Sequence, residues 1–137
     1  MSQPTKKKIL LVEDDLTLAG VYQMRMEAEG FDVQQCNDGE KALQAARTFQ
    51  PDLVLLDIMM PKLNGFDVLD ILRHTPQTGT IKIIVLSALG QPADIQRAKD
   101  LGANDYLVKS QVVISDVMNR LRFHLNMPQN PPAAETA

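Results

Sequence analysis

The sequence predicts an α/β protein built as (βα)5, a doubly wound parallel sheet of five strands with helices on both faces. Four apolar runs of three to six residues are rich in Ile, Val and Leu, which is typical of strands covered on both sides. A fifth run alternates apolar and polar residues, as a half-exposed edge strand does. Stretches of about a dozen residues with helical signals separate the runs, a spacing typical of repeated strand–helix units.

Each element follows from its local residues. The predicted strands are Ile9–Val12, Phe31–Cys36 (the alternating run), Leu53–Leu56, Ile81–Leu86 (broken by Lys82) and Tyr106–Val108. The predicted helices begin near Leu16, Asn37, Asn64, Pro92 and Gln111 and end near Glu29, Pro51, Pro76, Leu101 and Asn126. Gly30 and Gly102 stop the first and fourth helices. Pro92 suits a first helical position because its missing N–H would have no partner there.

The fifth predicted helix, Gln111–Asn126, has the clearest periodicity. At about 100° per residue, five apolar side chains fall within about one third of the circumference and should face the core. They are Ile114, Val117, Met118, Leu121 and Leu125. Val112 and Phe123 fall on the opposite, polar side. An apolar pair on a solvent face makes these two residues candidate contacts for a partner protein or a second copy of the chain.

Length and composition indicate one domain in a reducing, cytoplasmic setting. The 137 residues contain 14 Lys+Arg and 17 Asp+Glu, and the net charge of −3 has the wrong sign for a protein held on nucleic acid by counterion release. The single Cys36 excludes an internal disulfide, and no apolar run approaches the roughly 20 residues of a membrane span. We therefore expect no direct DNA or membrane contact. We also expect a polar lead-in over residues 1–7, a domain over 8–126 and a disordered proline-rich tail over 127–137.

Polar residues follow four of the predicted strands. Glu13–Asp15 follow the first strand, Asp57 the third, Ser87 the fourth and Lys109 the fifth. In doubly wound sheets ligands bind outside the carboxyl ends of the strands, so these residues should meet in one concave mouth. Converging carboxylates raise each other's pKa unless a cation neutralises them. Oxygen ligands without a nearby His or Cys favour Mg²⁺, with Mn²⁺ as the other possibility, over Zn²⁺.

Such a site suits phosphoryl transfer. A Mg²⁺ ion held by few carboxylates keeps positions open for phosphate oxygens. Asp57 would be the nucleophile and become an aspartyl phosphate, while Lys109 and Ser87 each contact one phosphoryl oxygen. His74 and His124 lie in or near polar segments away from the strand ends and are predicted to be surface residues.

Four motifs occur in order along the chain. They are Leu11–Asp15, Leu55–Pro61 with Asn64-Gly65 behind it, Ile84–Ala88 and Gly102–Lys109. With these motifs, the sequence from about Lys8 to Asn126 resembles the receiver domains of two-component response regulators. The resemblance implies the flavodoxin-like receiver fold, with strand order 2-1-3-4-5.

The resemblance also implies a role for each matched residue of the site. Asp57 matches the phosphoacceptor and Lys109 the lysine that contacts the phosphate. Asp14 and Asp57 match direct metal ligands, with the backbone carbonyl of Met59 as the remaining protein ligand. Glu13 matches the acidic partner that holds the metal through water.

The implied mechanism is transfer of a phosphoryl group to Asp57 from a sensor histidine kinase or a histidine phosphotransfer protein. Ser87 and Tyr106 match the switch hydroxyl and the switch aromatic residue. Ser87 would move toward the phosphate and Tyr106 would turn inward, which changes the face of the fourth helix, fifth strand and fifth helix. That face would signal to an unknown downstream protein, and a homodimer on phosphorylation is a further possibility.

Three features depart from the family pattern. Ser110 rather than proline follows Lys109, so a trans peptide is expected there, because a cis bond before a non-proline residue costs roughly 2.5–4 kcal/mol. Met59 and Leu89, two positions beyond the phosphoacceptor and the switch hydroxyl, are apolar and cannot orient an attacking water, which predicts a long-lived phosphoaspartate. The chain ends soon after the fifth helix, so we expect a stand-alone receiver.

Two other functions are compatible with this pattern. A docking module that works without phosphorylation would keep the fold and leave the site unused. A phosphohydrolase with an aspartate nucleophile usually carries a second aspartate two residues later as acid/base, where this chain has Met59. We therefore expect a signalling protein rather than an enzyme, whose only chemistry is self-phosphorylation and slow self-dephosphorylation.

Overall fold

The computed structural model, which describes residues 6–129, has five strands that alternate with five helices. The strands are β1 (Lys8–Val12), β2 (Asp32–Cys36), β3 (Leu53–Leu56), β4 (Lys82–Ser87) and β5 (Asp105–Val108). The helices are α1 (Leu16–Ala28), α2 (Gly39–Thr48), α3 (Gly65–His74), α4 (Pro92–Asp100) and α5 (Ile114–His124). The predicted (βα)5 order is confirmed.

The strands form one parallel sheet in the order β2-β1-β3-β4-β5. From β1 at the start of the chain, β2 is added on one side of the sheet, and β3, β4 and β5 are added in turn on the other side. The winding direction therefore reverses between β1 and β3. At this point Val12 pairs with Leu56. Glu13 and Asp57, which follow these two residues, therefore start side by side where such sheets bind ligands.

The sheet separates two apolar clusters. Leu10 and Val12 of β1 belong to the cluster covered by α2, α3 and α4, whereas Ile9 and Leu11 belong to the cluster covered by α1 and α5. Successive side chains of a strand point to opposite faces, so a strand covered on both faces needs apolar residues throughout. β2 lies at one edge of the sheet with Asp32 and Gln34 exposed, as its alternating pattern predicts.

Polar caps set the start of the helices nearest the ligand-binding edge. Asp15, Asp38 and Asn64 each accept a hydrogen bond from the backbone N–H three residues further on. Capping of this kind satisfies an N–H that has no partner within the helix. As a result α1 begins directly after the Glu13–Asp15 motif and α3 directly after the loop that follows Asp57.

The fifth helix is shorter than predicted. Lys109–Gln111 form a 3-10 turn, Val112 and Val113 are extended, and α5 starts at Ile114. Two consecutive β-branched residues favour extended backbone, and the Asp116 side chain accepts the Val113 N–H at 2.9 Å, which closes the start of the helix after them.

This shift overturns the predicted orientation of Val112. Its side chain is partly buried against the cluster under α1 and α5, because it lies in the extended segment and does not follow the helical angle. Phe123 is exposed as predicted, with 54% of its surface accessible, and Val113 is 63% exposed. Phe123 therefore stays a candidate contact on the exposed face of α5, whereas Val112 does not.

The two histidines differ. His74 is exposed on α3, as predicted, but the prediction for His124 was wrong. Its Nε2 lies 2.9 Å from Asp105 Oδ2, and its side chain is only 11% exposed. Burial alone would raise the pKa of Asp105, but hydrogen bonds from His124 and Arg120 lower that pKa below its ordinary value. The contact between His124 and Asp105 thus links the last turn of α5 to the first residue of β5.

The predictions for the first five residues and for residues 130–137 lie outside the described part of the chain. Ordered contacts continue to Met127, whose N–H donates to the Arg122 carbonyl at 2.8 Å and whose side chain packs on the core. Within residues 6–129, no helix is both long enough and apolar enough to cross a membrane.

Candidate functional site

Three carboxylates meet at the carboxyl ends of β1 and β3. Glu13 and Asp14 follow β1, and Asp57 follows β3. One oxygen of each lies within 4.8 Å of the others, and no other cluster of this kind occurs in residues 6–129. Glu13 and Asp57 are 3% and 4% exposed, whereas Asp14 is exposed. Asp14 is therefore the carboxylate that borders on solvent.

Lys109 is bound to both buried carboxylates. Its Nζ donates to Glu13 Oε1 at 2.7 Å and to Asp57 Oδ2 at 3.1 Å. Lys109 directly follows β5 and opens the 3-10 turn. The peptide between Lys109 and Ser110 is trans, as predicted, so the side chain reaches the carboxylates from an ordinary backbone.

The charges of this group are not balanced. Burial raises the pKa of Glu13 to about 7, although hydrogen bonds from Lys109 and the Asp15 N–H oppose the rise. Burial acts to lower the pKa of Lys109, but Glu13 and Asp57 together raise it above its ordinary value. The Lys109 ammonium lies beside two carboxylates, whereas Glu13 and Asp57 have only this one cation between them. Additional positive charge at the site would favour both ionised carboxylates.

We expect the metal-free protein to lose stability as the pH rises from about 4.5 to about 7. In this range the folded protein still binds a proton on Glu13, whereas the unfolded chain, with the ordinary pKa of 4.5, has released it. Raising the pH therefore favours unfolding, by about 3 kcal/mol over the range. Urea unfolding in EDTA across this range measures the effect, and Glu13→Gln should flatten the profile. Equal pH slopes for the two proteins would contradict the assignment.

The donor set fits a magnesium ion. Carboxylate oxygens are hard ligands of the kind that Mg²⁺ prefers, and the exposed Asp14 leaves the cluster accessible from solvent. The Met59 N–H donates to Asp57 Oδ1 at 3.2 Å, while Lys109 binds Oδ2 of the same carboxylate. Both oxygens of Asp57 thus have a partner, and the orientation of this carboxylate is defined before any ligand binds.

Ser87 and Tyr106 are joined through one residue of the loop between β4 and α4. The fully buried Ser87 hydroxyl accepts the Leu89 N–H at 3.2 Å. The Tyr106 hydroxyl donates to the Leu89 carbonyl at 2.7 Å, and its ring is partly buried against the core. Ser87 and Tyr106 were predicted as a pair, but the backbone of Leu89 as the link between them was not.

Gly65 is a second feature of the site that the sequence did not reveal. In the sequence, Asn64-Gly65 indicated the start of a helix and belonged to one of the four motifs, but neither observation gave Gly65 a steric role. In the structure the Gly65 N–H donates to the Ile58 carbonyl at 2.8 Å. A Cβ at this position would overlap the Asp57 carbonyl oxygen and lie 2.6 Å from Ile58 Cα. Only a residue without a side chain lets α3 start this close to Asp57 and the end of β3.

Comparison with known proteins gives one family. Residues 9–122 match the response regulator receiver domain. The chain is 38% identical over 127 residues to the DNA-binding dual master transcriptional regulator RpaA of Synechocystis sp., covering 93% of this chain and 52% of that protein. It spans about half the length of the curated relatives that it matches.

Two solved structures have the same fold. The chemotaxis response regulator CheY4 of Vibrio cholerae superposes with a TM-score of 0.81 at 26% identity, covering 88% of this chain and 99% of that one. The BeF3-activated N-terminal receiver domain of Klebsiella pneumoniae RstA gives a TM-score of 0.80 at 30% identity, covering 88% and 100%.

Proposed function

The chain belongs to the response regulator receiver domain family, and from that membership we propose that it accepts a phosphoryl group on Asp57. Receiver domains take phosphoryl groups from histidine kinases, and the proposed donor is a sensor histidine kinase or a histidine phosphotransfer protein. The observation that carries the proposal is the position of Lys109, whose ammonium lies 2.7 Å from Glu13 and 3.1 Å from Asp57.

Asp57 is the nucleophile in this proposal. Its carboxylate attacks the phosphorus in line, the bond from phosphorus to the donor nitrogen breaks, and the imidazole keeps the electron pair. The hydrogen bond from the Met59 N–H helps to hold the carboxylate in one orientation, which lowers the entropic part of the barrier. Lys109 then contacts the transferred group with its positive charge.

The acidic cluster supports a requirement for Mg²⁺. Glu13, Asp14, Asp57 and the backbone carbonyl of Met59 would hold the ion, with Glu13 acting through water. When bound, Mg²⁺ supplies positive charge for the carboxylates and for a phosphoryl oxygen. The raised pKa of Glu13 supports this role, because its cause is burial without a full counter-charge.

The switch is proposed to run through Leu89. Once Asp57 carries a phosphoryl group, the Ser87 side chain can turn and donate its hydroxyl proton to a phosphoryl oxygen, and this movement would alter the hydrogen bond that it accepts from the Leu89 N–H. A change in Leu89 also changes the carbonyl that holds the Tyr106 hydroxyl at 2.7 Å. The face formed by α4, β5 and α5 would respond as a shift in population between two states.

We propose that this face acts by protein–protein contact, with a downstream protein or with a second copy of the chain. Phe123, 54% exposed on α5, is a candidate contact. The net charge of −3 disfavours direct DNA binding by these residues. A long lifetime of the phosphoaspartate is also proposed, because the side chains of Met59 and Leu89 offer no group that can orient water.

Intact-mass analysis after incubation with acetyl phosphate tests the proposal. We expect the addition of one phosphoryl group that requires Mg²⁺ and is absent from Asp57→Asn. If folded wild-type protein gains none from acetyl phosphate or from phosphoramidate, the docking module is favoured instead. Continuous release of phosphate from varied esters would favour a phosphohydrolase.

A further inference from the structure

The second strand forms an open edge of the sheet. Among the strands of residues 6–129, β2 pairs with β1 alone. The Asp32 N–H and the Cys36 carbonyl both form hydrogen bonds at the β1 side of the strand. Because alternate residues of a parallel strand bond to the same neighbour, Gln34 also uses its backbone groups on β1. The N–H and C=O groups of Val33 and Gln35 therefore point outward, away from the sheet.

This edge has few of the features that keep strands of different molecules apart. Edge strands are usually protected by lysine, proline or a bulge. β2 has none of these, since its register against β1 is regular and its one charged residue is Asp32. A groove of about 570 Å³ lies beside the strand, between β2 and α2. Its lining includes Lys41 and Gln44 of α2 and no acidic residue.

The outward backbone groups of β2 are complementary to those of a second copy. In an antiparallel pair, residues that exchange both N–H···O bonds alternate with residues that exchange none. A two-fold axis at Gln34 places Val33 of each copy opposite Gln35 of the other. Every outward N–H and C=O group of these two residues then has a partner. The same patch meets itself in this arrangement, as a closed two-fold dimer requires.

The charges beside β2 fit the same register. Cys36 packs on the cluster covered by α2, and alternation places Asp32 on that face as well. With the axis at Gln34, Asp32 of each copy lies opposite Cys36 of the other, at the groove that Lys41 lines. Asp32 is exposed and, within residues 6–129, has no cation at ion-pair distance. Lys41 is 63% exposed, and its Nζ is 3.9 Å from Asp38, so it can take a closer anion.

We propose that two copies of this chain associate through β2 as an antiparallel pair, which joins their sheets into one continuous sheet. Asp32 of each copy pairs with Lys41 of the other. Leu16, which is 66% exposed and lines the groove, is covered in the dimer. β5 lies at the opposite edge of the sheet, so the face formed by α4, β5 and α5 stays open. This association is therefore distinct from the proposed switch and needs no phosphoryl group.

Sedimentation equilibrium of the full chain, without Mg²⁺ or a phosphoryl donor, tests the dimer. We expect a reversible monomer–dimer equilibrium for the wild-type protein. Gln35→Pro removes two of the four hydrogen bonds across the axis and should weaken association about thirtyfold; proline is tolerated in an edge strand. Gln35→Ala is the matched control. The Gln35 side chain bonds to Gln23 of α1, so alanine loses that contact but keeps the outward N–H, and should dimerise like the wild type.

Exchange of the two charges tests the register. Asp32→Lys and Lys41→Glu should each weaken association about tenfold, because two surface ion pairs become repulsive, and the double variant should recover it. Asp100→Lys makes the same charge change on α4, which packs beside β5, and should have no effect.

Three results would overturn the proposal, and all of them leave the proposed phosphorylation of Asp57 intact. Wild-type protein that stays monomeric at millimolar concentration excludes a second copy and favours an extended segment of a different protein at this edge. Equal association of Gln35→Pro and Gln35→Ala, with urea unfolding showing that both are folded, excludes pairing through β2. A double variant no stronger in association than its two parents excludes the pairing of Asp32 with Lys41.

Discussion

Replacing Lys109 by methionine is expected to slow phosphorylation of Asp57 by about a hundredfold to a thousandfold, the usual cost of removing one charged or hydrogen-bonding group that stabilises a transition state. The Lys109 side chain is only 22% exposed and lies against two buried carboxylates. Charge in such a place is weakly screened by water. Methionine keeps much of the length and apolar character of the side chain but removes the ammonium.

Rates with phosphoramidate and saturating Mg²⁺, followed by intact mass, measure this effect. Lys99→Met is the matched control, since Lys99 is exposed on α4 and should keep the wild-type rate. Urea unfolding of each variant separates a slow reaction from a loss of fold. A Lys109→Met rate within about threefold of wild type, in a folded protein, would exclude the role given to this ammonium.

Gly65→Ala is expected to lower the free energy of unfolding by about 3 kcal/mol, at the upper end of the usual cost of overpacking. The added methyl group would overlap the carbonyl oxygen of Asp57 and approach Ile58 Cα to 2.6 Å. Both are backbone atoms, so neither can rotate away as a side chain would. Relief requires that α3 move away from the end of β3, which also displaces Asp57. We therefore expect slower phosphorylation in the same variant.

Gly20→Ala provides the control within the same chain. Gly20 lies inside α1, and apart from the adjacent residues and the nearby backbone of the helix itself, no atom lies within 4 Å of a Cβ added there. This substitution should stabilise the protein by about 0.5–1 kcal/mol, because alanine loses less backbone entropy than glycine in a helix. Urea unfolding of both variants measures whether each substitution lowers or raises the free energy of unfolding. Equal effects at the two positions would refute the steric argument for Gly65.

The fold was predictable because the burial of a strand shows in the composition of its own few residues. Runs such as Leu53–Leu56 are apolar throughout since helices cover both faces of the sheet, and that coverage can be recognised from four residues. The start of α5 was not predictable from periodicity alone. Its apolar stripe identified a helix, but the extended Val112 and Val113 and the cap from Asp116 decided where the helix begins.

The sequence by itself determined which residues follow the strands, and parallel pairing requires that Glu13, Asp57 and Lys109 then meet at one edge. Only the tertiary structure decided that the Lys109 ammonium binds both Glu13 and Asp57, because these residues are 96 and 52 positions from Lys109 in the chain. The same holds for the stacking of Arg97 on Phe66. Local patterns record how deeply a residue is buried, whereas its partners are set by how the strands and helices pack together.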